Sequence, residues 1–171
     1  MGGSVMKKFG TALICGLVMV LFGIVGIILP VGDGIITIEN VTGKANVASK
    51  DSGYSYIFGN DSTNMAPGLL TAWIFLLVAL LAGVAAVVLV FLKKDKKVAN
   101  FSGTGLLFAC GGLFAFIAGI LFFCAKPLSG LSDNALLIYK LGAGFVVGAI
   151  CALVSGLAGI AAFVVPTFLK K

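Results

Sequence analysis

Histidine and arginine are missing from this chain altogether, and only six acidic residues are spread over its 171 positions. Without histidine, no side chain titrates at its ordinary pKa between about pH 5 and 8. Nor is there a histidine base to activate a cysteine nucleophile, so no catalytic set can be assembled and the chain reads as a non-enzyme with no cofactor. Without arginine, the planar fork that grips phosphates and bases is gone. The net charge of +6 therefore does not point to nucleic acid, which calls for arginines and exposed aromatics on a soluble module. Cysteine is scarce too: Cys15, Cys110, Cys124 and Cys151 all fall in apolar stretches. They show no disulfide framework and no zinc spacing. They read as small packing residues, with Cys124 nearest an outer helix end.

What remains is oily. Hydrophobic residues make up 60% of the chain and charged residues 11%, with a mean hydropathy of +1.19. A soluble domain carries about 25% charged residues. Four long apolar stretches stand out at 9–30, 67–92, 102–125 and 135–169. They contain no acidic residue, and Lys140, at the mouth of the last, is their one lysine. Charges inside a bilayer mark ion paths, proton relays or substrate sites, so their absence points toward packing and contact. The expected fold is membrane all-α: a left-handed four-transmembrane-helix bundle with a small extracellular β-sheet or hairpin in the first loop.

Residues 1–8 form a short N-terminus. Met1 to Val5 read as a cloning remnant before a natural start at Met6-Lys7-Lys8. The stretch ending at Pro30 is long enough to cross a bilayer at 1.5 Å per residue and reads as uncleaved. Residues 31–66 are polar. Ile35 to Ile38 and Tyr54 to Phe58 have strand composition, punctuated by Asp33-Gly34, Thr42-Gly43 and Ser52-Gly53. On a strand, Tyr54, Tyr56 and Phe58 would alternate onto one face and offer a partner an aromatic contact surface. Pro67 suits a helix start. Residues 93–101 form a basic loop, and residues 126–134 a short outer loop in which Ser132 and Asp133 stand as candidate N-caps. The final stretch is too long for one perpendicular span: it is expected to begin at the interface, to bend near Gly142 and Gly144, or to tilt and protrude. Trp73 and Tyr139 fit the aromatic belt as interfacial anchors.

Lysine placement sets the orientation. Lys7, Lys8, Lys93, Lys94, Lys96, Lys97, Lys170 and Lys171 flank the spans on one side with Asp95, for a net charge of +7; the other side carries −1. The positive-inside bias puts both termini (170–171 at the C-terminal end) in the cytoplasm of a plasma membrane. The cytoplasmic lysines would also attract anionic lipid. Every cation being a lysine hints at a low-GC bacterial cell membrane.

Small residues recur at helix-contact spacing. Gly144, Gly148, Ala152 and Gly156 form a four-residue ladder; Gly105, Gly112 and Gly119 repeat at sevens, as do Gly16 and Gly23. Small residues let helices approach closely in lipid. These positions are candidates for helix packing or an oligomer interface, the ladder of the last stretch most of all. Gly142-x-Gly144-x-x-x-Gly148 lacks the spacing of a dinucleotide fingerprint. Asp33, Glu39, Asp51 and Asp61 match no calcium loop. Asn40-Val41-Thr42 and Asn60-Asp61-Ser62 fit the glycosylation sequon, which matters only in a secretory host.

Four spans, inside termini and a strand-bearing first outer loop resemble the claudin-type tetraspan plan over the whole chain. The claudin first-loop tryptophan and cysteine pair are missing between Val31 and Ala66, so junction-forming chemistry is not implied. The run Ser52-Gly53-Tyr54-Ser55-Tyr56-Ile57-Phe58-Gly59 is also similar to first-loop segments of small tetraspan proteins of low-GC bacteria. The functional expectation is a protein that acts through protein–protein contacts as scaffold, assembly or adhesion element. Its partners would be the bilayer and either copies of itself or another membrane protein. The alternative is an oligomeric channel with a mainly apolar conduit, lined by Thr11, Thr71, Thr104 and Ser155.

Overall fold

The computed structural model describes residues 2–41, 44–61, 63–92, 97–98, 101–133 and 137–168. Helix α1 (Gly2–Ile28) ends where Pro30 withholds an N–H, and the chain tightens into a 3₁₀ turn at Leu29–Val31. Helix α3 (Pro67–Phe91) opens on proline, whose missing N–H costs a helix nothing in its first turn. Helix α4 (Gly103–Phe123) is capped by Ser102, whose Oγ accepts from Gly105 N at 2.9 Å. Helix α6 spans Ala143–Phe168. Within these helices Ala12–Val31, Pro67–Phe91, Gly103–Phe123 and Ala143–Val165 are long and apolar enough to cross a membrane, the architecture of a multi-pass membrane protein.

The four helices close into a square. α1 packs on α3 and α6, α4 packs on α3 and α6, and the α1–α4 and α3–α6 pairs face across the diagonals. Inward positions are small or aromatic: Ala72, Ala79, Ala115, Ala149, Ala152, Phe108, Phe122 and Phe145 are buried. Outward positions are large and aliphatic, including Ile14, Leu21, Leu81, Val88, Ile117 and Leu157. An apolar exterior around a tightly packed, small-residue interior suits helices in lipid, where close packing rather than water exclusion holds helices together.

At one end of the bundle sits an antiparallel sheet of order β2-β1-β5. Strand β1 (Asp33–Val41) follows the 3₁₀ turn, β2 (Lys44–Ser52) returns along it, and β5 (Leu137–Leu141) lies on its other side. Ile35 pairs with Asp51 and with Leu141, and Ile38 with Val47 and with Ile138. Short helices α2 (Gly53–Phe58) and α5 (Ala125–Leu128) complete this end. A two-residue pair, β3 (Lys97–Val98) with β4 (Phe101–Ser102), lies at the opposite end.

Three expectations change. Tyr54 to Phe58 are helical, because Ser52 caps the segment by accepting from Tyr54 N at 3.3 Å and Gly59, at φ +80°, ends it. The final apolar stretch, for which an interfacial start, a bend near Gly142 and Gly144 or a tilt is expected, divides at Gly142. Residues 137–141 join the sheet, and the helix starts only after Gly142. Ser132 and Asp133 do not cap that helix either, since Asp133 Oδ1 accepts from Tyr139 N in β5 at 2.8 Å. Strand β2, which carries Lys44, Lys50 and Asp51, lay in a segment with no strand reading.

Candidate functional site

One buried side chain meets all three other helices. Met19 of α1 is buried and points to where the other three helices present glycine. A methyl group built on Gly111 of α4 would come to 2.7 Å from Met19 Cε, and one on Gly159 of α6 to 2.8 Å from its Sδ. One on Gly83 of α3 would lie 3.3 Å from the same sulfur. Ser155 of α6, fully buried, donates its hydroxyl to Met19 O at 2.7 Å. A flexible thioether thus fills the space that three glycines leave, beside a polar tie between α6 and α1. Neither Met19 nor Gly111 and Gly159 stood out in the sequence. A lone methionine inside an apolar run has no periodicity of its own.

The small residues that did stand out face neighbours within the same chain. Gly156 meets the backbone of α4 at Phe116 N and Gly112 O; Gly112 meets α6 at Gly156 O and Ile160 N. Gly119 faces Leu153 and Ala149 O, Gly105 faces Phe163, and Gly16 faces the Phe108 ring. Gly144 lies against Leu29 O and Asp33 O, and Gly148 near Gly26 O and Pro30. Ala152 is fully buried. The ladder of α6 is therefore occupied by α1, α4 and the base of the sheet, and it is not an outward face for a second subunit.

The sheet is joined to the helices through backbone. Gly53 N donates to Gly32 O at 3.2 Å, Gly142 N to Gly34 O at 2.7 Å, and Ala66 N to Tyr56 O at 2.8 Å. A Cβ on Gly34 would collide with the Gly53 backbone, and one on Gly142 with the Asp33 backbone. These glycines let three chain segments meet at van der Waals distance. Side chains add to the joint. Ser52 Oγ donates to Val31 O at 3.1 Å, and Tyr54 Oη to Ile27 O at 2.7 Å. The second bond satisfies a carbonyl left over at the end of α1.

The aromatic residues of the first loop do not form a common surface. Tyr56 is buried and donates to Asp51 Oδ2 at 3.2 Å. Burial, reinforced by the negative charge of Asp51, pushes its phenol up to about 12. Tyr54 is half-buried. Phe58 alone is exposed, and it meets Tyr54 and Trp73 edge-on, with ring centroids 5.7 and 5.2 Å away. Tyr54 and Phe58 touch because they sit one helical turn apart. Trp73 is half-buried, and its Nε1 has no hydrogen-bond partner among the described residues. Tyr139 is half-buried in β5, opposite Thr37.

Charge at this end is exposed and local. Lys50 pairs with Asp33 at 3.4 Å. Lys126 pairs with Asp133 at 2.6 Å, and this contact, with the Tyr139 N–H, holds the Asp133 carboxyl below the usual carboxylate range. Lys140 is exposed on β5, outside the helix that follows. Cys110 and Cys124 are exposed, Cys151 is buried and Cys15 half-buried, all as free thiols. No cluster of metal-ligating side chains occurs among the described residues. The flanking lysines Lys93, Lys94, Lys96, Lys170 and Lys171, and the Thr42-Gly43 turn, lie outside the described residues; the side chains of Lys7, Lys8, Lys97 and Thr11 are also outside them. Set against known proteins, the chain matches no family model and no curated relative.

Proposed function

We propose that this chain is a non-enzymatic membrane protein that acts through contacts, as a scaffold, assembly or adhesion element, and that it associates with copies of itself. The observation that carries this reading is the sheet, joined through backbone to all three segments that feed it and offering an open strand edge beyond the helix ends. A rigid platform of this kind suits recognition, because little ordering entropy is left to lose on binding. The spans lack charged side chains, which fits helices whose work is to hold one another and the platform. In this reading both termini face the cytoplasm, the sheet faces outward from a bacterial plasma membrane, and anionic lipid gathers at the lysine-rich side. The claudin-type plan is in accord with a contact role, although the chain lacks that family's first-loop tryptophan and cysteine pair.

The close approach of Met19 to the glycines of the other three helices argues against a conduit through a single protomer. Two of the hydroxyls considered for pore lining are otherwise engaged: Thr71 donates to Pro67 O at 2.9 Å and Ser155 to Met19 O. The decisive experiment combines light scattering of the purified protein in mild detergent with ion flux from reconstituted liposomes. The reading expects more than one copy per particle and a sealed bilayer under a salt gradient. Steady flux would sink it in favour of a pore between protomers.

A further inference from the structure

We infer that the outward face of the sheet binds an anionic phospholipid of the leaflet on its own side of the membrane, with Lys50 and Lys140 sharing the lipid phosphate across Ile36. The inference rests on the membrane setting of the reading above and not on self-association. Residues directly opposite one another in a sheet share a face, so the register sorts the side chains. Ile35 stands opposite Leu141, and Thr37 opposite Tyr139. Their face turns toward the bundle: Ile35 is fully buried, and Tyr139 and Leu141 pack against the core. The other face carries Lys50, Ile36 and Lys140 in one row and Val47, Ile38 and Ile138 in the next. The lysine row falls in the regular stretch of the β1–β2 ladder, between its two register shifts. The three isoleucines are half-buried and stand outside the core, and Val47 is 58% exposed.

The occupant follows from charge and height. Lys140 is exposed and makes no ion pair among the described residues. Lys50 approaches Asp33 at 3.4 Å, yet its side chain stays 54% exposed in that pair. An ammonium has three N–H donors, and one carboxylate oxygen does not use them up. The sheet's other acids, Glu39 and Asp51, fall in rows of the opposite face. The outward face therefore sets two lysines about 10 Å apart, two strand spacings, around an isoleucine. A phosphodiester between them is the complementary anion. Height makes that phosphodiester a lipid's. Lys140 lies just ahead of Ala143, where α6 and its apolar span begin, so about 10 Å of extended chain at most separates it from the helix. The headgroup layer lies at the end of such a span. Lysine stems run along apolar surface and hold the ammonium among headgroups, and the isoleucines supply that surface. A free phosphate would gain nothing from them.

The test uses the full chain in liposomes of phosphatidylcholine alone and of phosphatidylcholine mixed with phosphatidylglycerol. Flotation comes first; a chain that does not float with either overturns the membrane setting and this inference with it. A membrane-permeant amine-acylating reagent is then applied for short times, and peptide mass spectrometry gives the rate at each lysine. Phosphatidylglycerol is expected to slow Lys50 and Lys140 by roughly fivefold, the strength of one lysine at an anionic surface. Lys126, at the same end of the bundle but in α5 and paired with Asp133, is the internal control and should slow much less. Lys140→Gln, an exposed change, should return Lys50 toward its rate in phosphatidylcholine. Equal slowing at all three lysines overturns the site in favour of a general surface potential. No slowing at Lys50 and Lys140 overturns it while leaving membrane insertion intact. A Lys50 rate that stays slow in Lys140→Gln overturns the shared phosphate. Equal protection of the pair by inorganic phosphate in phosphatidylcholine liposomes overturns the lipid in favour of a free anion.

Discussion

Gly148 and Gly156 occupy the same ladder on α6, yet a methyl group would meet different neighbours at each. At Gly156 the new carbon would lie 2.7 Å from Phe116 N and 2.8 Å from Gly112 O, both backbone atoms that cannot step aside. At Gly148 the nearest atom is Gly26 O at 3.6 Å, an ordinary contact. Gly156→Ala is therefore expected to destabilise the bundle by about 1–3 kcal/mol, as overpacking does. Gly148→Ala should be near neutral, or slightly stabilising because alanine favours the helix. Thermal unfolding in detergent, followed with a thiol-reactive dye, ranks the two; equal midpoints would contradict the packing described. Met19 makes the opposite case. Met19→Ala leaves the glycines of three helices facing a void, at a cost of about 2–5 kcal/mol, read by the same assay. Tyr56 adds a pH signature. Its phenol loses its proton only near pH 12 when folded and near 10 when unfolded, so the folded state binds the extra proton in that window. Its contribution is fully present below pH 10 and is lost as pH rises toward 12. Comparing Tyr56→Phe with the wild type should show the alkaline loss of stability shrinking in the variant.

At the scale of elements, the four spans were legible because uninterrupted apolar length has few alternative explanations. Strand β1 was legible in part, from the β-branched run Ile35 to Ile38. The helix α2 was misread because its aromatics look like strand composition; the signals that decide it are local and were present. Ser52 is a good N-cap, Gly59 a good C-cap, and Tyr54 with Phe58 have helical spacing. Strand β2 was missed because Lys-Ala-Asn-Val-Ala-Ser-Lys has little β-propensity, and its hydrogen bonds to β1 outweigh that. Strand β5 was hidden inside an apolar run, where nothing in the sequence separates it from the helix except Gly142. Its place in the sheet depends on a contact with β1, about a hundred residues away in the chain, and on Asp133. That dependence yields a prediction. Because the Asp133 carboxyl is held below its ordinary range by Lys126 and the Tyr139 N–H, the clamp is present above the unfolded pKa and is lost as pH falls through the folded one. Amide exchange at Tyr139 should be protected at neutral pH, and Asp133→Ala should remove that protection while leaving exchange within α4 and α6 unchanged. Protection that persisted in Asp133→Ala would mean that the edge is closed by something else.

For the whole molecule, the sheet constrains the topology more firmly than any single span does. Its strands come from the segment after α1 and the segment before α6, and Ile35 pairs with residues of both. In the proposed membrane setting, the loops after α1 and before α6 would lie on one side of the bilayer, and the start of α1 and the end of α6 on the other. Which side is which rests on charge: the termini and the loop between α3 and α4 hold eight lysines, and the sheet end carries more acid than base. The proposed orientation, with the lysines in the cytoplasm, is the one the positive-inside bias favours. In a background with Cys15, Cys110, Cys124 and Cys151 replaced by alanine, single cysteines Ser49→Cys and Lys97→Cys report the two ends. A membrane-impermeant maleimide added to intact cells should label Ser49→Cys at once and Lys97→Cys only after lysis. Labelling of both in intact cells would break the bilayer assignment, and the reverse pattern would turn the platform inward. An inward platform would redirect the search for partners to cytoplasmic proteins.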